Sequence, residues 1–243
     1  MSESLPDVVA SDRGPGLYVE PGVVIPDDTV LAPHVTIYAG IEIGPGVEIG
    51  QGAIVGRPQQ RDARSNAPRI PPGLTTHIGP GCMVGSGALI MSGATLLERA
   101  RAADGAIVAH FAVLEEEAML GGRSGIAQYV RVGQRARIQN GVIVGPYAQI
   151  GPDVLISPRA TLVGDPTMGR RAKDGKVPAV TLGRACRIAT AAIILPPVTV
   201  GEEAMVGAGA LVTRDVAPRA VVVGSPARFV RDVRDDELLE AWQ

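Results

Sequence analysis

Aliphatic residues return every six positions along most of this chain. One series runs Ile25, Leu31, Ile37, Ile43, Ile49, Val55, and a long second one runs from Ile78 through Val84, Ile90, Leu96, Ala102, Val108, Leu114, Leu120, Ile126, Val132, Ile138, Val144, Ile150 and Ile156 to Leu162. A third runs Leu182, Ile188, Ile194, Val200, Val206, Val212. Four places after each opener stands a second, smaller residue, such as Val35, Ala53, Ala192 or Ala210. An amphipathic helix of 3.6 residues per turn would drift off such a series within a few turns, and simple alternation would not skip in this way. Each unit therefore reads as a short strand followed by a corner. Glycine often takes the second place, as in Gly44, Gly85, Gly133 and Gly207, which fits a corner needing positive φ.

Two polar, proline-bearing stretches interrupt the series. Residues 57–77 and 163–181 are expected to loop out of the repeat, and the second carries Arg170, Arg171, Lys173 and Lys176. Loops on a rigid scaffold are where binding concentrates. Residues 235–242 (DDELLEAW) read as a short helix covering the last repeat. The expected organisation is an N-terminal segment over 1–18, the repeat domain over 19–230 and a C-terminal helix over 231–243.

Composition agrees with a thin, regular interior: aromatics make up 3%, and the 31 glycines and 20 prolines supply corners. A net charge of −2 offers no global field for nucleic acid or an anionic membrane. The first thirty residues lack the features of a secretory signal, no run of 18 apolar residues occurs, and Cys82 and Cys186 are too few for a disulfide framework, so a cytoplasmic location is expected. Both cysteines fall at the inward fifth place of a unit and read as core. His34, His77 and His110 lie 43 and 33 residues apart without a close pair, so no metal site is expected.

The six-residue pattern resembles the hexapeptide-repeat transferases, whose fold is an all-β, left-handed parallel β-helix with three units per 18-residue coil. The 27 units would make about nine coils, a prism about 43 Å tall at 4.8 Å per coil. The resemblance also implies a homotrimer with an acyl-CoA between neighbouring copies.

Ala109-His110-Phe111, followed by Gly125-Ile126-Ala127, is similar to the segment that holds the catalytic histidine in the lipid A acyltransferases. His110 is third in its unit, at a corner, where it would point outward as a general base or simply sit in solvent. Asn140 holds the same place in its unit. Arg137-Ile138-Gln139-Asn140-Gly141-Val142 resembles the active-site turn of the nucleotide-sugar N-acetyltransferases, which implies that Asn140 orients the acceptor with Gln139, Arg170 and Arg171 as further substrate contacts. The alternative for Asn140 is a turn residue before glycine. The block from Gly207-Ala208-Gly209 through Arg214 to Gly224-Ser225-Pro226-Ala227-Arg228 resembles that family's acetyl-CoA groove, which implies backbone contacts to pantetheine at Ala208 and Gly209 and phosphate contacts from Arg214 and Arg228. A departure is Ala189-Thr190-Ala191, where the family has Gly-Ala-Asn.

The reading is thus acetyl-CoA-dependent N-acetylation of a nucleotide-linked amino sugar. O-acyl or longer-chain transfer of the lipid A type and a non-catalytic scaffold are its alternatives.

Overall fold

The computed structural model describes residues 9–10, 15–60, 69–168, 170 and 178–242. The chain winds as a three-sided parallel β-solenoid of about ten turns, a left-handed β-helix of hexapeptide repeats. Most strands are two residues long, the first side chain facing out and the second in, as in Arg101–Ala102 and Ile107–Val108. The inward residues stack in register one coil apart: Ile90, Val108, Ile126, Val144 and Leu162 follow one another on one face, each at most 1% exposed. Small fifth-place residues such as Ala106, Ala112 and Ala118, all fully buried, let the three sheets close around so narrow a core.

Taken in chain order within one coil, face 1 carries strands such as Ile107–Val108, face 2 Val113–Leu114 and face 3 Met119–Leu120. Among the described residues these faces have eleven, eight and eleven strands. Face 1 contains ten parallel strands starting at Tyr18–Val19, plus an antiparallel edge strand at Val9–Ala10. The prism is therefore about one coil taller than the nine read from the repeat. The extra turn comes from Leu17 and Val19 at the start, and from Val216 and Val222 at the end, where the six-residue spacing has already lapsed.

The second-place glycines are present for a different reason than positive φ. Gly44, Gly85, Gly133 and Gly207 are absent from the left-handed region, which falls two residues later in each unit, at Gly46, Gly87, Arg135 and Gly209. A Cβ on Gly133 would stand 2.6 Å from the backbone of Gly151, and one on Gly85 2.5 Å from that of Asp104. The next coil passes too close to admit a side chain.

Both insertions leave from the corner between faces 1 and 2. The first spans the interval between strands Ile54–Arg57 and Thr76–Ile78, the second that between Thr161–Leu162 and Thr181–Leu182. The corner between faces 2 and 3 is a ladder of alternating charge, with Arg99 on Glu117 at 2.7 Å and Arg135 on Asp153 at 2.8 Å. The expected C-terminal helix is instead two 3-10 turns, Asp235–Glu237 and Leu239–Trp242, preceded by strand Arg228–Asp232 folded back along face 3. The segment is held to the charged corner by Arg184–Glu240 at 2.8 Å and by Arg219–Asp235, and so runs beside the prism. Its carboxylates pair with arginines on that corner, which fixes the segment there.

Candidate functional site

His110 sits at the corner between faces 1 and 2, but its ring is buried. It is 1% exposed, whereas an outward ring was expected from its place in the repeat. Ser92, one coil earlier, explains the difference: its backbone carbonyl accepts from His110 Nδ1 at 2.8 Å, and its hydroxyl lies 3.2 Å from the same nitrogen. A proton on Nδ1 leaves Nε2 as a bare acceptor, and Nε2 is buried with no partner. Burial pulls the imidazole below its ordinary pKa, against the opposing effect of the hydrogen bond to Ser92, so the ring is neutral at physiological pH. A buried acceptor left unpaired costs about 1–3 kcal/mol, and such exceptions call for an explanation.

Beside His110 runs a ladder of aromatic rings. Phe111, Tyr129 and Tyr147 stack at 4.8 and 5.0 Å between centroids, nearly parallel. The ladder spans the interval between the two insertions. Leu74, at the end of the first, lies over Gly93 and against the Phe111 end: a Cβ on Gly93 would meet Leu74 Cδ1 at 2.9 Å and Phe111 Cδ1 at 3.4 Å. Sequence reading missed this ladder and Ser92. The signal was available as an 18-residue recurrence of aromatics at the fourth place, in a chain with only two Phe, four Tyr and one Trp.

Asn140 lies on a different corner, between faces 3 and 1, and is exposed. Its Oδ1 accepts from the Gly122 N–H at 2.9 Å, and its carbonyl accepts from the Arg159 N–H at 3.1 Å, so it ties three coils together. Gln139, half-buried, precedes it and uses its carbonyl to take the Ser124 hydroxyl at 2.8 Å. Ala208 and Gly209 occupy the same corner further along, both exposed, with Gly209 at φ +66°.

Arg214 and Arg228 do not join them within one chain. Both line a cavity of about 360 Å³ at the C-terminal end of the prism, floored by Val212, Val216 and Val222 and flanked by Phe229. Arg228 also donates to the Ala227 carbonyl at 2.9 Å. Arg170 is exposed, and Arg171 lies outside the described residues. A groove of about 370 Å³ on face 2 holds the Glu42–His77 pair at 2.9 Å, away from all of these groups. Cys82 and Cys186 are core residues, their thiols pushed up to about 11 and about 12 by burial, which removes thiolate reactivity at neutral pH. Among the described residues no three His, Cys, Asp or Glu side chains converge as metal ligands, and no helix is long and apolar enough to cross a membrane.

The outer surfaces of the three faces differ in character. Face 1 presents Ile54, Leu89, Ile107, Ile143, Ile193 and Leu211, of which Ile107, Ile143 and Ile193 are 45%, 53% and 41% exposed, and the one charge among its described strands is Arg57, at the end of Ile54–Arg57 where the first insertion leaves. Face 2 presents Glu42, His77, Arg131 and Gln149, and face 3 alternates Met83, Arg101, Met119, Arg137 and Leu155.

Comparison with known proteins points the same way as the repeat. The bacterial transferase hexapeptide family matches residues 14–57, and the hexapeptide repeat of succinyl-transferase matches residues 112–146 and 179–214. A chloramphenicol acetyltransferase of Agrobacterium fabrum is 44% identical over 68 residues, 27% of this chain and 32% of that protein. Galactoside O-acetyltransferase of Escherichia coli is 37% identical over 77 residues, 31% of this chain and 38% of that one. The chain thus spans about a third of the length of these curated relatives. The UDP-N-acetylglucosamine O-acyltransferase of Moraxella catarrhalis shares the fold, with a TM-score of 0.56 over 89% of this chain and 75% of that one at 13% identity. From its repeats, its solenoid and these partial relatives, the chain is a hexapeptide-repeat protein related to the transferases built on that repeat.

Proposed function

We propose that this protein transfers an acyl group from an acyl-CoA thioester to an acceptor hydroxyl, with His110 as general base. The observation that carries the reading is the unpaired Nε2 of a neutral, buried imidazole whose tautomer is set by the Ser92 carbonyl. Nε2 is closed to solvent in this structure, so an acceptor X–OH must first be admitted to it, and on arrival would supply the missing hydrogen bond. As its oxygen attacks the thioester carbonyl, its proton passes to Nε2. A corner backbone N–H would stabilise the oxyanion, and the departing CoA thiolate would take the proton back. A hydroxyl gains more from such a base than an amine, which at neutral pH can attack as its free-base fraction.

An amino group on a nucleotide-linked sugar, acetylated from acetyl-CoA, is the second reading, favoured by the Arg137–Val142 turn around Asn140. A panel of sugars, amino sugars and their nucleotides with acetyl-CoA, read by release of free thiol, tests both. Turnover with hydroxyl acceptors supports the first reading, and turnover with amines alone supports the second. Absence of turnover together with absence of CoA binding would leave a scaffold.

The working unit in this proposal is a homotrimer with face 1 turned toward the threefold axis. A contiguous aliphatic face of this length, with a charge only at the end of Ile54–Arg57, is unusual on an isolated chain, and closed cyclic symmetry would cover it in every copy. Three prisms so arranged bring the His110 corner of one copy against the Asn140 and Ala208–Gly209 corner of the next. Ile143→Glu, which sets three carboxylates near the axis, is expected to yield the 25.1 kDa chain alone in sedimentation equilibrium at micromolar concentration. A wild-type protein already monomeric under those conditions would refute the arrangement.

A further inference from the structure

We infer that the corner between faces 3 and 1 carries a phosphate-binding site, formed by the exposed guanidinium groups of Arg123, Arg137 and Arg159.

The left-handed arginines of this solenoid fall into two groups. On the corner between faces 2 and 3 the left-handed fourth-place arginines each have a carboxylate: Arg99 has Glu117, Arg135 has Asp153 and Arg219 has Asp235. On the corner between faces 3 and 1, Arg123 and Arg159 adopt the same left-handed conformation, with φ +55° and +62°, yet neither guanidinium has a hydrogen bond or ion pair among the described residues. Arg137, on the adjoining strand of face 3, is likewise exposed and unpaired. The left-handed region is unfavourable for a long side chain, and glycine fills it in neighbouring coils at Gly87, Gly105 and Gly141. Two arginines therefore occupy glycine-type positions without the partner that the other corner provides.

Their spacing makes a slot. Arg123 and Arg159 lie two coils apart, about 10 Å along the axis, and the coil between them has Gly141 at the matching position. The Arg159 stem lies over Gly141 and the Arg123 stem over Gly105, their Cγ atoms 3.6 and 3.5 Å from where a Cβ would stand, so the slot between the two stems is the strip of corner at Gly122, with Asn140 at its side. The one acid on this stretch of corner, Asp104, adjoins Gly105 under the Arg123 stem but accepts from the Ser86 N–H at 2.8 Å and makes no ion pair with Arg123. Three unpaired guanidinium groups along a strip whose one acid is engaged by a backbone N–H suit a group with two or more negative charges, and their planar donor forks match phosphate oxygens. A single carboxylate would leave the cluster undercompensated. The diphosphate of an acyl-CoA and that of a nucleotide-linked acceptor offer the same chemistry. The site stands apart from the acyl-transfer reading, because anion binding requires no turnover.

Calorimetric titration with inorganic pyrophosphate, CoA and UDP tests the site, using the wild type, the double variant Arg123→Gly/Arg159→Gly and the double variant Arg123→Gln/Arg159→Gln. Glycine suits the left-handed backbone, so the first variant should unfold at or above the wild-type temperature. The glutamine pair removes charge with the side-chain bulk kept. Pyrophosphate affinity should fall about tenfold or more in both variants. It should be unchanged in Arg131→Gln, which breaks the exposed Arg131–Glu115 pair on face 2. A parallel loss for CoA alone assigns the acyl donor to the slot, a loss for UDP alone assigns a nucleotide-linked acceptor, and a loss for pyrophosphate only retains the site for another phosphorylated ligand. Pyrophosphate that fails to bind the wild type at millimolar concentration, or binds all four proteins alike, overturns the inference.

Discussion

His110→Ala is expected to lower kcat by about 10²–10⁴ while leaving CoA affinity intact, because the variant removes proton transfer in the transition state and no group assigned to the donor. Ser92→Ala should cost far less, since the carbonyl that sets the tautomer is backbone and survives the substitution. The pH profile separates a base from a packing residue. Burial lowers the His110 pKa, so the neutral imidazole persists below the ordinary histidine value of about 6.5, and the acidic limb of kcat should lie on the acid side of that value. In His110→Ala that limb should vanish. The same shift acts on stability. The unfolded chain takes up this proton as pH falls through about 6.5 and the folded chain only at lower pH, so the fold loses stability between those two points and no further below them. An alanine variant with wild-type kcat and an unchanged pH profile would remove His110 from the chemistry.

Gly133→Ala is expected to destabilise the protein by about 3 kcal/mol or more, at the upper end of overpacking effects, because the added methyl meets backbone that cannot rotate away. Its Cβ would stand 2.6 Å from Gly151, in the middle of the solenoid. Gly52→Ala is the contrasting substitution. Gly52 has φ +67° with nothing within 4 Å of its Cβ, so it should lose only the cost of a left-handed alanine, about 1–2 kcal/mol. Denaturant unfolding of the two variants checks the difference. Equal losses would mean that close approach of coils is not why the second place of the repeat is glycine.

The architecture was legible in the chain because a six-residue period leaves few alternatives: the ladder from Ile78 to Leu162 maps onto the buried stack without a break. What could not be read were events between units. The setting of a corner side chain depends on the residue 18 positions away, so the tether of the buried His110 needed Ser92, and the engagement of Asn140 Oδ1 needed the Gly122 N–H. Arg214 and Arg228 share a cavity because the last coil turns back on itself after Gly224, a reversal with no hexapeptide signature. The C-terminal stretch had a helical composition, but its carboxylates are engaged by Arg184, Arg219 and Arg231, and these pairs set its path.

Both excursions from the solenoid leave by one edge and re-enter in register, so that Ile43 pairs with Ile78, and Ile150 with Leu182, as though nothing intervened. The prism thereby separates what must stay constant from what is free to vary. Segments of other length or composition can be exchanged at that edge without disturbing the stacked interior, and the walls around His110 can be recast while the imidazole and its Ser92 tether stay in place. For the proposed transfer, acceptor choice becomes a matter of interchangeable parts fitted to a fixed frame.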